Sequence, residues 1–267
     1  MKITQDIGIR ICGTGSSVPE RKISNDDMAT IVETNDEWIR TRTGISNRHF
    51  ADKETNLSLG MEAAEKALEM ADISKEEIGV VIYATITPDN IVPSQACMLQ
   101  KELGLPETVF AFDICAACTG FLYAVHTARS LLCSMPEKKY ALVVASEVLS
   151  RVTNFADRNT CVLFGDGAGA AVITLDENSR YAFDCGAEGN TEVLYCPKYY
   201  HDTNPFAENL PEPAEQFVSM QAEPCTVLPC RHSPAVSSVW RRKWAAIRTA
   251  MSAIRRMPAS CRQQPSS

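Results

Sequence analysis

The chain has 267 residues, of which 45% are hydrophobic and 22% charged, and its formal net charge is −7. These are the values of an ordinary globular protein, and no apolar run reaches the roughly 18 residues that a membrane-spanning helix needs. The first residues, MKITQDIGIRICGTG, include an acidic residue and no long apolar core, so we expect no signal peptide and a cytoplasmic location. The eleven cysteines are then expected to be mostly reduced thiols.

Strand-like and helix-like segments alternate along the chain as far as Leu175. The predicted strands are IGIRICGTG, which would end in a glycine turn, then IGVVIYAT, TVFAFDI and KYALVVASE. The predicted helices are SLGMEAAEKALEMA, then PSQACMLQKELG, which opens with proline and closes with glycine, and TGFLYAVHTARSLL. This repeated βαβ order predicts an α/β layered fold.

The glycine-rich stretch FGDGAGAAVITL (Phe164–Leu175) raises the question of phosphate binding. A dinucleotide-binding loop needs a strand before the glycines and a helix after them. Here TCVLF precedes the glycines and AAVITL follows them, and both are strand-like. The sequence therefore favours a tight turn between two strands over a phosphate-binding loop.

The composition changes sharply in the last part of the chain. All thirteen glycines lie at or before Gly189, and residues 222–267 carry eight Lys or Arg against a single acid. A basic tail sometimes binds nucleic acid, but this one lacks interleaved aromatic residues in a usable pattern. We therefore predict no nucleic-acid partner, and a division into residues 1–176, 177–221 and an aberrant tail at 222–267.

Two cysteines lie three residues apart in DICAACTGF, where a predicted strand gives way to a helix. A closed zinc site would need a second ligand pair, and a thioredoxin-like pair is usually separated by Trp or Pro rather than by two alanines. Two buried thiols are the plain alternative. However, a thiol at a helix N-terminus faces the positive end of the helix dipole, which favours the nucleophilic thiolate. Cys118 is the candidate nucleophile, and Cys115 its idle neighbour.

The segment AFDICAACTGF resembles the nucleophile segment of β-ketoacyl-acyl-carrier-protein synthase III, a condensing enzyme of type II fatty-acid synthesis. Three more stretches resemble that family: NDEWIRTRTGISNRHF, SEVLSRVTNFADRNTCVLFGDGAGAAVI, and FVSMQ before the next core helix. The resemblance runs from about Ile7 to Gln221. It implies a thiolase-like layered fold, with the first half complete and the second half incomplete.

The resemblance also implies an activity and a set of site residues. Cys118 would take an acyl group from coenzyme A as a thioester, and malonyl-acyl-carrier protein would then decarboxylate and attack it. Trp38 and Arg158 would hold the adenine of coenzyme A, and Thr34 and Arg42 would line the same entrance. Val92 occupies the position from which a residue reaches across a homodimer into the acyl pocket. No permanent cofactor, metal or membrane is implied.

The family uses two further catalytic residues, a His in a His-Gln-Ala-Asn motif and a later Asn. Neither motif occurs in these 267 residues, and His49, His126, His201 and His232 lie in other contexts. We therefore expect this form to be defective in condensation.

The tail after Gln221 has a testable origin. Codons compatible with Gln221–Pro229 read Gln-Gly-Arg-Ala-Val-Tyr-Arg-Phe-Ala after the insertion of one G, much like the family's continuation of FVSMQ. In the same shifted frame, codons compatible with Ala253–Pro258 read His-Gln-Ala-Asn-Ala. We therefore expect residues 222–267 to be an out-of-frame translation of a synthase III gene.

Two other functions stay open. The chain could be another thiolase-fold condensing enzyme, such as a 3-hydroxy-3-methylglutaryl-CoA synthase or a secondary-metabolite ketosynthase, although the stretch DEWIRTRTGI favours the fatty-acid starter enzyme. It could also be a non-catalytic truncated paralogue that only binds a partner, which the missing His and Asn would support.

Overall fold

The computed structural model describes residues 2–5, 7–187, 189–196 and 217–220. The chain divides into two compact units, one of residues 1–189 and 196–218 and one of residues 190–195 and 219–267. None of the helices in this described part is long and apolar enough to cross a membrane. The predicted tail at 222–267, and its proposed out-of-frame origin, lie outside the described residues. The predicted divisions after residues 176 and 221 stay predictions.

The described residues form eleven strands and six helices. The strands are β1 Lys2–Gln5, β2 Gly8–Ser17, β3 Lys22–Ser24, β4 Asn47–His49, β5 Ile78–Ala84, β6 Phe110–Ile114, β7 Tyr140–Val148, β8 Asp166–Asp176, β9 Tyr181–Asp184, β10 Leu194–Tyr195 and β11 Ser219–Met220. The helices are α1 Asn25–Ala29, α2 Asp36–Thr43, α3 Asn56–Ala71, α4 Gln95–Glu102, α5 Gly120–Leu132 and α6 Arg158–Cys161.

A five-stranded mixed sheet with the order β2-β8-β7-β5-β6 forms the centre of the first unit. β5 pairs parallel with both β6 and β7, whereas β8 runs antiparallel to β7 and to β2. The connections through α4 and α5 are thus the βαβ crossovers that the sequence predicts. β5 is buried along its whole length, as expected of a strand covered on both faces.

Helix α3 covers one face of the sheet and α5 the other. On the α3 side, Ala63 and Ala67 pack with Val81 of β5 and with residues of β7 and β8. On the α5 side, Ala124 and Ala128 pack with the alternate residues of the same strands. The two separate apolar clusters follow from the two-residue alternation of side chains along each strand. The predicted α/β layered fold is confirmed.

The predicted glycine turn at the end of IGIRICGTG is wrong, because β2 continues through these glycines to Ser17. A Cβ atom on Gly13 would lie 2.2 Å from the carbonyl oxygen of Ala67, and one on Gly15 would lie 2.0 Å from that of Ala63. The two glycines therefore allow β2 to lie directly against the backbone of α3 rather than to turn the chain.

The tight turn predicted between two strands at Phe164–Leu175 is also wrong. The supposed first strand, TCVLF, begins in the short helix α6, and β8 already includes the glycines at 167 and 169. Cys161 and Val162 are buried in a third apolar cluster with Met28 and Ile39, so this packing overrides the strand preference of the segment.

The second unit contains the described residues of β10 and β11, which pair antiparallel. Ser219 and Met220, from the FVSMQ stretch, form β11. Leu194 pairs with Met220, and Tyr195 with Ser219.

Candidate active site

Cys118 lies in a short turn between β6 and α5. The strand ends at Ile114, a 3-10 turn spans Ala117–Thr119, and α5 begins at Gly120. The side chain of Cys118 is exposed, and so is that of Cys115. The structure thus places Cys118 at the predicted transition from strand to helix, with its thiol accessible to solvent.

The turn is held in a conformation that is unusual for its residues. Ala117 has a φ of 43°, in the left-handed region that favours glycine. The N–H of Thr119 donates to the carbonyl oxygen of Ala116 at 3.1 Å, and its hydroxyl donates to the same oxygen at 2.8 Å. A non-glycine residue in this region costs about 1–3 kcal/mol, and such strain occurs often at active sites. Here it lies directly before the candidate nucleophile.

The N-terminus of α5 points its positive dipole end toward this turn. Among the residues that the structure describes, no side chain makes a capping hydrogen bond to the N–H groups of the first turn of α5. Gly120 also allows a close approach to the sheet, because a Cβ atom on it would lie 3.3 Å from the Cβ of Ala84. The N–H of Gly120 donates to the carbonyl oxygen of Ala117, and the exposed thiol of Cys118 lies beside the positive end of the helix dipole.

A buried polar network fixes the strand ends next to the turn. The carboxylate of Glu147, at the end of β7, accepts hydrogen bonds from the N–H of Ile86 at 2.8 Å and from the hydroxyls of Thr87 at 2.5 Å and Thr85 at 3.2 Å. Burial raises the pKa of Glu147 above its usual range. The side chain of Asn56 donates to Thr85 Oγ1 at 3.0 Å and to the carbonyl oxygen of Ser146 at 2.8 Å.

Cys196 lies close to this network. Burial raises the pKa of its thiol, and the nearby Glu147 and Cys115 raise that pKa further. Cys196 is therefore kept as a neutral thiol and is a poor nucleophile at neutral pH.

The sequence reasoning missed the network and one further acidic residue, Asp113. The signal was present, because Asp113 and Glu147 each stand near the end of an otherwise apolar strand. A carboxylate at the edge of a buried sheet must find hydrogen-bond donors, and such residues often belong to sites.

A second cluster contains three of the predicted binding residues. The guanidinium carbon of Arg42 lies 4.5 Å from the centroid of the Trp38 ring, and that of Arg158 lies 5.0 Å from it. Arg158 also donates to the carbonyl oxygen of Glu33 at 3.2 Å. Thr34 follows Glu33 in the chain, and its buried hydroxyl has no hydrogen-bond partner within the described part of the protein.

Helix α2 positions this cluster. Its N-cap residue, Asn35, accepts a hydrogen bond from the N–H of Trp38 at 2.8 Å, and the helix ends at Gly44 in the left-handed conformation. Ile39 is fully buried, so the helix is anchored on its apolar side. The structure brings Trp38, Arg42 and Arg158 together, and it places Cys118 on a different element, at the start of α5.

The described histidines have other partners. His49 Nδ1 lies 2.6 Å from the carbonyl oxygen of Pro19. His126 stacks on Phe183, with ring centroids 4.2 Å apart. His201 and His232 lie outside the described residues. Among the residues that the structure does describe, no group of three or more His, Cys, Asp or Glu could hold a metal ion.

The chain is similar to known proteins of one family. Residues 112–189 match the family model described as 3-oxoacyl-[acyl-carrier-protein] synthase III. The chain is 48% identical over 187 residues to the β-ketoacyl-[acyl-carrier-protein] synthase III of Wolbachia pipientis subsp. Culex pipiens, which covers 69% of this chain and 58% of the relative. It is 45% identical over 202 residues to the Clostridium acetobutylicum protein of the same name, and this match covers 75% of this chain and 61% of the relative.

The chain is also similar to solved structures of synthase III proteins. The synthase III from Aquifex aeolicus matches with a TM-score of 0.66 and 39% identity, over 80% of this chain and 65% of that one. The synthase III from Pseudomonas aeruginosa matches with a TM-score of 0.71 and 32% identity, over 83% and 66%. These matches confirm the thiolase-like layered fold, and the chain spans about three fifths of the length of the sequence relatives. Over the matched residues it is therefore similar to the β-ketoacyl-[acyl-carrier-protein] synthase III family.

Proposed function

We propose that the protein is an acyltransferase of the type that condenses an acyl group from coenzyme A with malonyl-acyl-carrier protein. The product would be a 3-oxoacyl-carrier protein, the first intermediate of type II fatty-acid synthesis. The observation that carries this proposal is the exposed thiol of Cys118 in a strained turn at the uncapped start of α5. The similarity to synthase III proteins supports the same chemistry.

In the first step, the sulfur of Cys118 attacks the carbonyl carbon of the thioester. The carbon–sulfur bond to coenzyme A then breaks, and the leaving thiolate takes up the proton that Cys118 gave away. Backbone N–H groups at the start of α5 would stabilise the transient oxyanion. In the second step, malonyl-carrier protein would lose carbon dioxide, and its carbanion would attack the acyl carbon and release Cys118.

The two steps need different residues. The first needs the nucleophile and its turn, and the described residues include both. The second depends in this family on the His-Gln-Ala-Asn motif, which does not occur in the 267-residue sequence. We therefore expect this chain to accept an acyl group but to be defective in condensation.

The Trp38 cluster is the proposed entrance for coenzyme A, which would act as substrate rather than as a bound cofactor. Trp38 offers an aromatic face for the adenine, and Arg42 and Arg158 supply charge for its phosphates. The buried hydroxyl of Thr34 has no hydrogen-bond partner among the described residues, and it is suited to a hydrogen bond with the incoming ligand.

A homodimer and a cytoplasmic location complete the proposal. β6 is an edge strand of the described sheet, and Phe110 at its start is 50% exposed. Ile91 and Val92 are 69% and 84% exposed, a large apolar exposure for side chains that face water. A second copy would cover them, with Val92 reaching the partner's acyl pocket.

Incubation with radiolabelled acetyl-CoA, followed by intact-mass measurement and peptide mapping, tests the proposal. We expect one acetyl group on Cys118, loss of the label in Cys118→Ala, and full labelling in the matched variant Cys115→Ala. Labelling that survives Cys118→Ala would overturn the assignment. Soluble protein that takes no acyl group but captures a partner would favour the non-catalytic paralogue.

A second enzyme function also has support. The chain is 38% identical to the priming β-ketosynthase of the R1128 polyketide pathway, over 63% of this chain and 50% of that one. Varying the acyl donor in the same assay separates the two functions. A strong preference for a longer acyl group over acetyl would favour the polyketide type.

A further inference from the structure

Asp113 joins β6 to the helix α4. β6 is the strand before the Ala117–Thr119 turn that contains Cys118, which we call the nucleophile turn. Asp113 is the penultimate residue of β6, and its carboxylate accepts two backbone hydrogen bonds from the first turn of α4. Oδ2 accepts from the N–H of Gln95 at 2.8 Å, and Oδ1 accepts from the N–H of Ala96 at 2.7 Å. Both carboxylate oxygens are therefore engaged by the N-terminus of one helix.

This cap is not a local one. The hydroxyl of Ser94, the residue that precedes α4, accepts a hydrogen bond from the N–H of Cys97 at 3.2 Å. The N–H groups of Gln95 and Ala96 donate instead to Asp113, which lies 18 and 17 positions further along the chain. A carboxylate at a helix N-terminus is also favoured by the helix dipole. Asp113 therefore forms a tertiary contact between β6 and α4.

The contact lies at the end of β6 that leads into the nucleophile turn. In the described sheet β6 has one neighbouring strand, β5, and the last backbone bond between them runs from the N–H of Thr85 to the carbonyl oxygen of Ile114 at 3.1 Å. The Asp113 carboxylate on α4 is a second hydrogen-bonded contact at this end of the strand. The nucleophile turn leaves the strand directly after Ile114, so both contacts lie within two residues of its start.

The helix end that Asp113 holds is itself fixed. Gln95 is fully buried, and its side-chain amide donates to Asp89 Oδ2 at 3.2 Å and to Asn56 Oδ1 at 3.4 Å. Asp89 in turn accepts from the backbone N–H groups of Asn56 and Leu57 at the start of α3. Asp113 therefore ties the nucleophile strand to a rigid polar network rather than to a free helix.

We propose that Asp113 is a positioning residue for Cys118, which rests on the proposed function of Cys118 as the acyl acceptor. Without the carboxylate, the end of β6 and the turn that follows it shift relative to the sheet. Acyl transfer needs the attacking sulfur aligned to within about an ångström, so such a shift slows it strongly. Alkylation of an exposed thiol by a small reagent needs no such alignment.

The experiment compares the full chain with Asp113→Ala, the near-isosteric Asp113→Asn, and Asp27→Ala as a matched control. Asp27 also caps a helix, α1, away from the nucleophile turn. Single-turnover acylation of Cys118 is measured over a range of acetyl-CoA concentrations. Iodoacetamide labelling of Cys118, Cys133 and the buried Cys161 is followed in parallel by peptide mass spectrometry.

We expect the maximal acylation rate to fall roughly 10- to 100-fold in Asp113→Ala and less in Asp113→Asn, with an unchanged half-saturating concentration. Iodoacetamide labelling of Cys118 and Cys133 should stay at the wild-type rate, and Asp27→Ala should acylate normally.

Three outcomes would overturn the inference. Acylation at the wild-type rate in both Asp113 variants shows that the contact does not position Cys118, although the proposed function stands. Exposure of Cys161 to labelling in Asp113→Asn as well as in Asp113→Ala shows that Asp113 serves only to hold the fold. A wild-type chain that is alkylated but never acylated at Cys118 removes the proposed function, and this inference with it.

Discussion

The guanidinium of Arg42 lies 4.5 Å above the ring of Trp38, one turn earlier on the same helix. Arg158 approaches the same ring from α6, a distant part of the chain. The half-buried ring of Trp38 is thus flanked by two exposed cations. This arrangement suits a ligand that combines an aromatic base with phosphate groups.

Removal of either Trp38 or Arg158 should weaken coenzyme A binding. Loss of one stacking or cation–π contact costs about 0.5–2 kcal/mol, or roughly twofold to thirtyfold in Kd. Isothermal titration calorimetry of Trp38→Ala and Arg158→Ala against the wild type measures this. Arg40→Ala is the matched control, because Arg40 lies on α2 but pairs with Asp36. Equal affinities in all four proteins would rule out this cluster as the entrance.

Substitution of Gly13 should destabilise the fold. A Cβ atom there would lie 2.2 Å from the carbonyl oxygen of Ala67, so β2 and α3 must move apart. Such overpacking costs about 1–3 kcal/mol. Urea unfolding of Gly13→Ala should therefore show a lower midpoint than the wild type. Gly186→Ala is the control, since a Cβ atom there meets nothing within 4 Å, and an equal loss in both variants would contradict the close-approach explanation.

His126 should make stability depend on pH. Burial lowers its pKa, and the neighbouring Arg129 lowers it further. The unfolded chain, with a His pKa of about 6.5, then binds more protons than the folded one as the pH falls through that value. The wild type should therefore lose stability on acidification from neutral pH by more than His126→Phe, which keeps an aromatic ring against Phe183.

Thermal unfolding midpoints of both proteins between about pH 5 and pH 8 measure this difference. Parallel curves for the wild type and His126→Phe would show that His126 does not contribute to the pH dependence. The effect concerns the packing of α5 on β9 and is independent of the acyl chemistry.

The origin of the tail can be read directly from the coding DNA. We expect that translation of codons 215 to 267 in all three forward frames gives, in a neighbouring frame, the His-Gln-Ala-Asn motif, a later Asn and a glycine-rich end. The gene would then encode a complete synthase III, and restoring the frame should restore condensation. If no frame contains these motifs, residues 222–267 are native sequence and the frameshift hypothesis is wrong.

The sequence by itself determined the layered α/β class and the location of most core elements. The buried strand β5 and the helix α3 are each coded by local apolar periodicity, and capping residues such as Thr55 and Ser94 lie beside the helices they start. Cys118 was predicted as the nucleophile in the same way, because small residues between a strand and a helix are a local pattern.

Only the tertiary structure decided the features that depend on distant parts of the chain. Gly13 and Gly15 lie within a strand because α3 packs against their backbone, and TCVLF is not a strand because its residues are buried against α1 and α2. Arg158 reaches the ring of Trp38, and Asp113 caps α4, through contacts that no local pattern encodes. The physical reason is that hydrogen bonding and close packing depend on which segments the fold brings together, whereas periodicity and capping act within a few residues.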